Sequence, residues 1–135
     1  MSTPVAAPDL PALVAAARAV RGNARAPWSH FQVGSAVRAA SGRVYVGVNV
    51  ESASYPLTCC AERVAIYNAV TAGETAITHV AVVTTARAAP CGGCRQVIYE
   101  LGPDAEVLIA GVEGDWETTT IRALLPRGFD GSALP

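Results

Sequence analysis

The chain has 135 residues, enough for one domain with a sizeable buried core. Its net charge is −1, all ten basic residues are arginine and no basic run occurs, which argues against a polyanionic partner such as DNA or RNA. Half of the residues are apolar, a high share for a small domain, and this hints at further surface buried between subunits.

Met1 to Pro8 is rich in proline and small residues and reads as a loose end. Asp9 is placed to cap a first helix through about Arg21, with Pro11 in its first turn and Gly22 closing it. Arg18 interrupts the apolar stretch Leu10 to Val20 and no basic region precedes it. That segment is too short to span a membrane and lacks a secretory layout. Val33 to Ala39 alternates as a strand does, Ser41-Gly42 turns the chain, and Arg43 to Val50 forms the second arm of a hairpin. In that arm Val44, Val46, Val48 and Val50 share one face, and Tyr45, Gly47, Asn49 and Glu51 the other. From this pattern alone, Asn49 and Glu51 read as solvated side chains at a strand end.

Apolar residues at helical spacing predict a buried helix from about Cys60 to Ala72, stopped by Gly73. Ile77 to Thr84 reads as a third strand leading to Pro90, where a second buried helix begins. A fourth strand follows from about Glu106 to Ala110 and a fifth around Trp116 to Thr119. A short helical piece, Ile121 to Leu125, is broken by Pro126. Helices alternating with strands, without repeat or linker, predict a three-layer α/β domain over residues 1–135, with its core in about 10–130.

The chemistry gathers at Cys60-Ala61-Glu62-Arg63 and Pro90-Cys91-Gly92-Gly93-Cys94-Arg95-Gln96. Cys91 and Cys94 have the C-x-x-C spacing that lets two thiolates grip one metal, and Cys60 supplies a third. Three protein ligands leave one tetrahedral position for water, the mark of a catalytic zinc site, so one zinc per chain is expected. Glu62 then stands beside that water as a proton carrier. Residues two apart diverge on a helix, so Cys60 and Glu62 converge only at a helix mouth. Two such mouths would turn their positive ends toward the thiolates. Arg63 or Arg95, each beside a motif residue, is placed to donate to a ligand sulfur and offset the negative charge.

Alone, Cys91-Gly92-Gly93-Cys94 reads equally as a thioredoxin-like redox pair, and a non-hydrolytic thiol or zinc-binding module remains the rival from another class. A redox pair needs neither Cys60 nor Glu62. Cys59 reads as packing, because the Cys-Ala-Glu register selects Cys60. Four cysteines with metal spacing fit a reducing cytosol better than a disulfide framework.

Five linked blocks extend the pattern: Pro27 to Gly34, Gly47 to Leu57, Cys60 to Arg63, Pro90 to Gln96 and Leu124 to Phe129. Together they resemble the small homotetrameric type of cytidine deaminase over about residues 10–130. The resemblance implies a three-layer α/β/α sandwich around a five-stranded mixed sheet, with zinc on Cys60, Cys91 and Cys94. It implies hydrolytic deamination of cytidine and deoxycytidine with Glu62 moving the protons. It further implies that Phe31 packs on the pyrimidine and that Asn49 and Glu51 bind the ribose, reversing the strand-end reading. The Ala61 backbone N–H would contact the ring carbonyl, and a main-chain carbonyl near Ala89 the exocyclic amine. Phe129, which alone would read as exposed or locally tucked, is implied to reach a neighbouring subunit's pocket in a homotetramer with shared active sites. Trp28, Ser35, Cys59 and Ala89 depart from the common pattern, which leaves a blasticidin-type aminopyrimidine nucleoside as the rival substrate.

Overall fold

The computed structural model describes residues 4–135. Helix α1 spans Leu10–Val20; the Asp9 side chain accepts from the Ala12 N–H at its start, so the sequence-read cap is in place. The chain then tightens into a 3₁₀ turn over Arg21–Asn23, so Gly22 lies inside a continuing turn instead of closing the helix. Residues 4–8 form no regular element, yet they are not loose throughout, since Arg38 donates to the Ala6 carbonyl at 2.8 Å. Residues 1–3 of the predicted loose end lie outside the described residues.

Strands β1 (Gly34–Ala39) and β2 (Val44–Val48) form the predicted hairpin. Helix α2 (Ala61–Thr71), strand β3 (Ile77–Val83), helix α3 (Gly92–Leu101), strands β4 (Glu106–Ala110) and β5 (Trp116–Thr120) and the one-turn helix α4 (Ile121–Leu124) follow. The strand order is β2-β1-β3-β4-β5, with β3 and β4 parallel and the other pairs antiparallel. This is the five-stranded mixed sheet that the resemblance implied.

Helices lie on both faces. Leu13, Val14 and Ala17 of α1 pack on Ala36, Ala81, Val83, Leu108 and Ala110. On the opposite face Ala61, Ala65 and Ile66 of α2 and Ile98 of α3 pack on Val37, Val80, Val82, Val107 and Ile109. The alternation along β3 and β4 sends successive side chains to different helices, which is why both strands are apolar throughout.

In β2 the valine face is the more exposed one, and the other face turns toward α2. Gly47 explains the choice. A Cβ there would stand 2.4 Å from the Ala65 nitrogen and 2.7 Å from the Ala61 carbonyl oxygen. Only glycine lets α2 approach the hairpin so closely, and that approach brings the start of α2 over the sheet end where the chemistry lies.

Candidate active site

The caps of two helices meet at this end of the sheet. Cys60 precedes α2 and Cys91 precedes α3, both with extended backbone, and neither sulfur caps its own helix. The sulfurs are thereby free to face each other. Pro90 lies one residue ahead of the cap, outside the first turn where the sequence had suggested it. Cys94 is the third residue of α3, so it rises on the same side as Cys91.

The Sγ atoms of Cys60, Cys91 and Cys94 all lie within 4.8 Å of one another, and Cys60 and Cys91 are 3.7 Å apart. Two thiolates bound tetrahedrally at a Zn–S length of about 2.3 Å stand roughly 3.8 Å apart, so the sulfurs present fit one zinc. Arg63 Nη2 donates to the Cys60 sulfur at 3.4 Å, and the sulfurs raise the pKa of its guanidinium. Arg95, the other arginine considered for that role, points elsewhere: it donates to the carbonyls of Pro90 and Leu124.

Close sulfurs cannot all carry charge unaided. Hydrogen bonding from Cys94 chiefly, then from Arg63 and Cys91, lowers the Cys60 pKa to about 5. The neighbouring Cys60 sulfur first, then burial, pushes the Cys94 thiol well above its usual range. A divalent ion removes this competition by making all three thiolates favourable.

Glu62 is 4 % exposed on the second residue of α2. Burial raises its pKa to about 7, and the charge on Cys60 adds to the rise. With Cys60 and Cys91 it lines a cavity of about 180 Å³ whose other walls are Phe31, Val33, Asn49, Thr58, Cys59, Val82, Thr84, Ala88 and Ala89. Ala61 is the first residue of α2, where helix geometry leaves an N–H without an intrahelical acceptor.

The approach of Asn49 to the metal ligands follows from a two-bond bridge. Val50 and Cys59 exchange N–H···O bonds of 3.0 Å, which fastens the end of the hairpin to the entry of α2. Asn49 is 8 % exposed. Its Oδ1 accepts from the Val33 N–H at 2.9 Å, and its Nδ2 donates to the Phe31 carbonyl at 2.7 Å. The side chain therefore holds the segment that carries Phe31. Glu51 does the same one loop further out, accepting from the backbone N–H groups of Trp28 and Ser29 and from the Ser29 hydroxyl. These hydrogen bonds, Ser29 first, keep its carboxyl below the usual range. Between the two ties His30 takes a left-handed φ of 58°, and Phe31 is left 42 % exposed at the cavity mouth.

Glu51 lines a second, outer recess of about 320 Å³ with Trp28, Ser29, Ser52, Tyr55 and Thr58. No ligand sulfur borders that recess; Thr58 is the residue common to both spaces. Thus the structure brings together Phe31, Asn49, Glu62 and the sulfurs, keeps Ala61 behind them at the start of α2, sets Glu51 one step outside, and leaves Phe129 off the walls of its own chain's cavity. Cys59 stands on the cavity wall, apart from the sulfur cluster. Sequence reasoning missed Thr84, which is buried on the wall and accepts from the Ala88 N–H at 2.8 Å. Its place at the end of the strand leading to Pro90 was the available signal.

A three-layer α/β/α frame with three zinc-spaced thiols and a buried carboxylate at two helix mouths defines a zinc deaminase domain. The family model described as the cytidine and deoxycytidylate deaminase zinc-binding region matches residues 9–110. A cytidine deaminase of Halalkalibacterium halodurans is 41 % identical over 124 residues, 90 % of this chain and 94 % of that protein. The crystal structure of a cytidine deaminase from Burkholderia pseudomallei superposes with a TM-score of 0.83 at 46 % identity, covering 87 % of this chain and 97 % of that one. That of Mycobacterium leprae gives 0.78 at 37 % identity, covering 90 % and 100 %. The chain belongs to the cytidine and deoxycytidylate deaminase family.

Proposed function

We propose that this protein hydrolyses cytidine and deoxycytidine to uridine and deoxyuridine with release of ammonia. The observation that carries the proposal is the joint cavity: zinc-spaced sulfurs and the buried Glu62 on one side, Phe31 and Asn49 on the other. Family membership supports it.

Cys60, Cys91 and Cys94, whose sulfurs lie within 4.8 Å of one another, would hold the zinc. When bound, zinc supplies Lewis acidity and lowers the pKa of a water at its open position. Glu62 takes a proton from the attacking water and passes it to the ring nitrogen beside the carbon that bears the amine. It then takes the proton of the hydroxyl newly added to that carbon and delivers it to the amine, so the C–N bond breaks, the carbonyl forms and ammonia leaves. Burial suits this work, since a carboxyl shifted toward neutrality both accepts and returns a proton readily. Arg63 steadies the charge on Cys60. Phe31 packs on the pyrimidine, the Ala61 N–H donates to the ring carbonyl, and a main-chain carbonyl near Ala89 accepts from the amine.

Asn49 and Glu51 bind the ribose while tying down the Phe31 loop. The loop bonds occupy part of their capacity, and a carboxylate has about four acceptor sites. Phe129 completes the pocket of a neighbouring subunit in a homotetramer. The residue is 55 % exposed, and Trp28, Phe31, Tyr55 and Leu57 are also exposed. The substrate is a small nucleoside, with no role for nucleic acid or membrane, and the cytosol is the expected location. No helix among the described residues is long and apolar enough to cross a membrane.

Ultraviolet-monitored turnover of cytidine, deoxycytidine and free cytosine by zinc-loaded protein tests the proposal. Both nucleosides should be deaminated and cytosine should react very poorly, because a site built to pair with hydroxyls is left unpaired without them. Equal turnover of cytosine would overturn the sugar assignment, and no turnover of either nucleoside the function.

A further inference from the structure

Helix α3 carries the ligand Cys94, and three of the side chains that follow hold the segment ending in Phe129. Arg95 Nη1 donates to the Leu124 carbonyl at 3.0 Å while its Nε holds the Pro90 carbonyl at 2.7 Å. Gly128 lies flat on the Tyr99 ring, where a Cβ would stand 2.9 Å from a ring carbon. Gln96 Nε2 donates to the carbonyl of Phe129 itself at 2.8 Å. Arg127 has a left-handed φ of 58°, so the chain turns sharply just before these last contacts. Of the three ties, the one from Gln96 is made at Phe129 itself, which is 55 % exposed.

We propose that Gln96 is a positioning residue for the aromatic arm. It fixes the Phe129 backbone to the metal-bearing helix and so sets the direction in which the ring departs toward a neighbouring subunit's pocket. Gln96 is two residues beyond Cys94, about 200° around the helix, so it holds the arm from the side away from the sulfurs. The same rigid helix thus fixes a metal ligand of its own site and the aromatic lent to the next site. Gln96 therefore acts on substrate binding and leaves the chemical step alone. The inference rests on the reading that Phe129 reaches a neighbour.

The test is a double-mutant cycle on zinc-loaded, assembled protein, using Gln96→Leu and Gln96→Glu, neither of which donates, each with and without Phe129→Ala. A neutral hydrogen bond corresponds to about fivefold. Either Gln96 variant should raise KM for cytidine by about that factor, with kcat within about twofold and zinc content unchanged. In the Phe129→Ala background the same substitutions should change KM by less than about twofold, because the arm has nothing left to aim. If Phe129→Ala raises KM and the Gln96 variants do not, the Gln96 role is overturned and the arm stands. Equal effects in both backgrounds also overturn it, since Gln96 would then act through the helix. If Phe129→Ala itself leaves KM unchanged, the reading beneath the inference fails.

Discussion

The zinc corner and the aromatic rim of the same site are built in opposite ways. At the corner, Cys94, Ala61 and Glu62 are buried, the three sulfurs come from two adjacent helix mouths, and a guanidinium of the same chain answers them. Around the mouth Trp28 and Phe31 are exposed and Tyr55 reaches 72 %, and Leu57 and Phe129, which line neither space of this chain, are exposed as well. Groups that move protons and hold a metal must be fixed to within a fraction of an ångström, which one chain's core achieves. Large apolar rings need only a surface to close on, and in the proposed homotetramer a second copy would supply one. The difference teaches that the groups proposed for the chemistry gather within one chain's core, while the exposed rings are what the proposed homotetramer would cover.

The largest expected effect breaks the corner outright. Alanine at Cys60, Cys91 or Cys94 should lose metal and activity together, by metal analysis and ammonia release, whereas Cys59→Ala should keep both. Metal loss from Cys59→Ala with Cys60→Ala still loaded would reverse the register. Next is Glu62→Gln, which keeps size and hydrogen bonding but accepts no proton. One carboxylate serving two transfers should sit at or above about 10⁴-fold in kcat, with zinc retained. Activity within tenfold of wild type removes Glu62 as proton carrier.

Glu51→Ala probes the boundary between corner and rim, because it removes a charged acceptor from two backbone N–H groups and, on the proposed reading, from the sugar as well. Bonds to a charged acceptor are the stronger kind, so kcat/KM for cytidine should fall by about tenfold or more. Normal turnover would leave Glu51 as a loop anchor alone. If Phe129 has its proposed role, Phe129→Ala should raise KM about tenfold without altering zinc content, the loss appropriate to a ring that would meet substrate only by packing. A fully active monomer, by light scattering at assay concentration, would dissolve the comparison itself. The smallest effect is expected in stability. Gly47→Ala drives a methyl into α2 and should destabilise the fold by about 1–3 kcal/mol, seen as a melting temperature several degrees lower.

Much of the corner was legible because its signals are local. The spacing of Cys91 and Cys94 and the interval from Cys60 to Glu62 already imply helix mouths, and Asp9, Gly73 and the strands Ile77 to Thr84 and Glu106 to Ala110 carry their own marks. What failed to show were choices decided by packing between elements. Alternation divides β2 into two faces but does not say that the valines face outward; the close approach of α2 at Gly47 decides that. Nothing in the sequence separated Arg63 from Arg95 as the partner of sulfur. The answer depends on Arg63 rising one turn above Cys60, while the arm at Leu124 draws Arg95 away. Asn49 and Glu51 were legible as polar strand-end residues. That both first hold the Phe31 loop follows only from the fold of residues 25–33 against β2.

The meeting of two helix mouths through sulfurs has a consequence for how the protein stays folded. Cys60 and Cys91 are 31 positions apart in sequence. An ion held between them is therefore a removable crosslink that closes a long loop, and it restricts the unfolded chain much as a disulfide would. Unlike a disulfide, it obeys mass action. Stability rises with free metal as RT ln(1 + [L]/Kd), about 2.7 kcal/mol at a hundred times Kd. Metal supply and chain survival are thus one equilibrium, and a cell short of zinc would hold less of this protein as well as less of its activity.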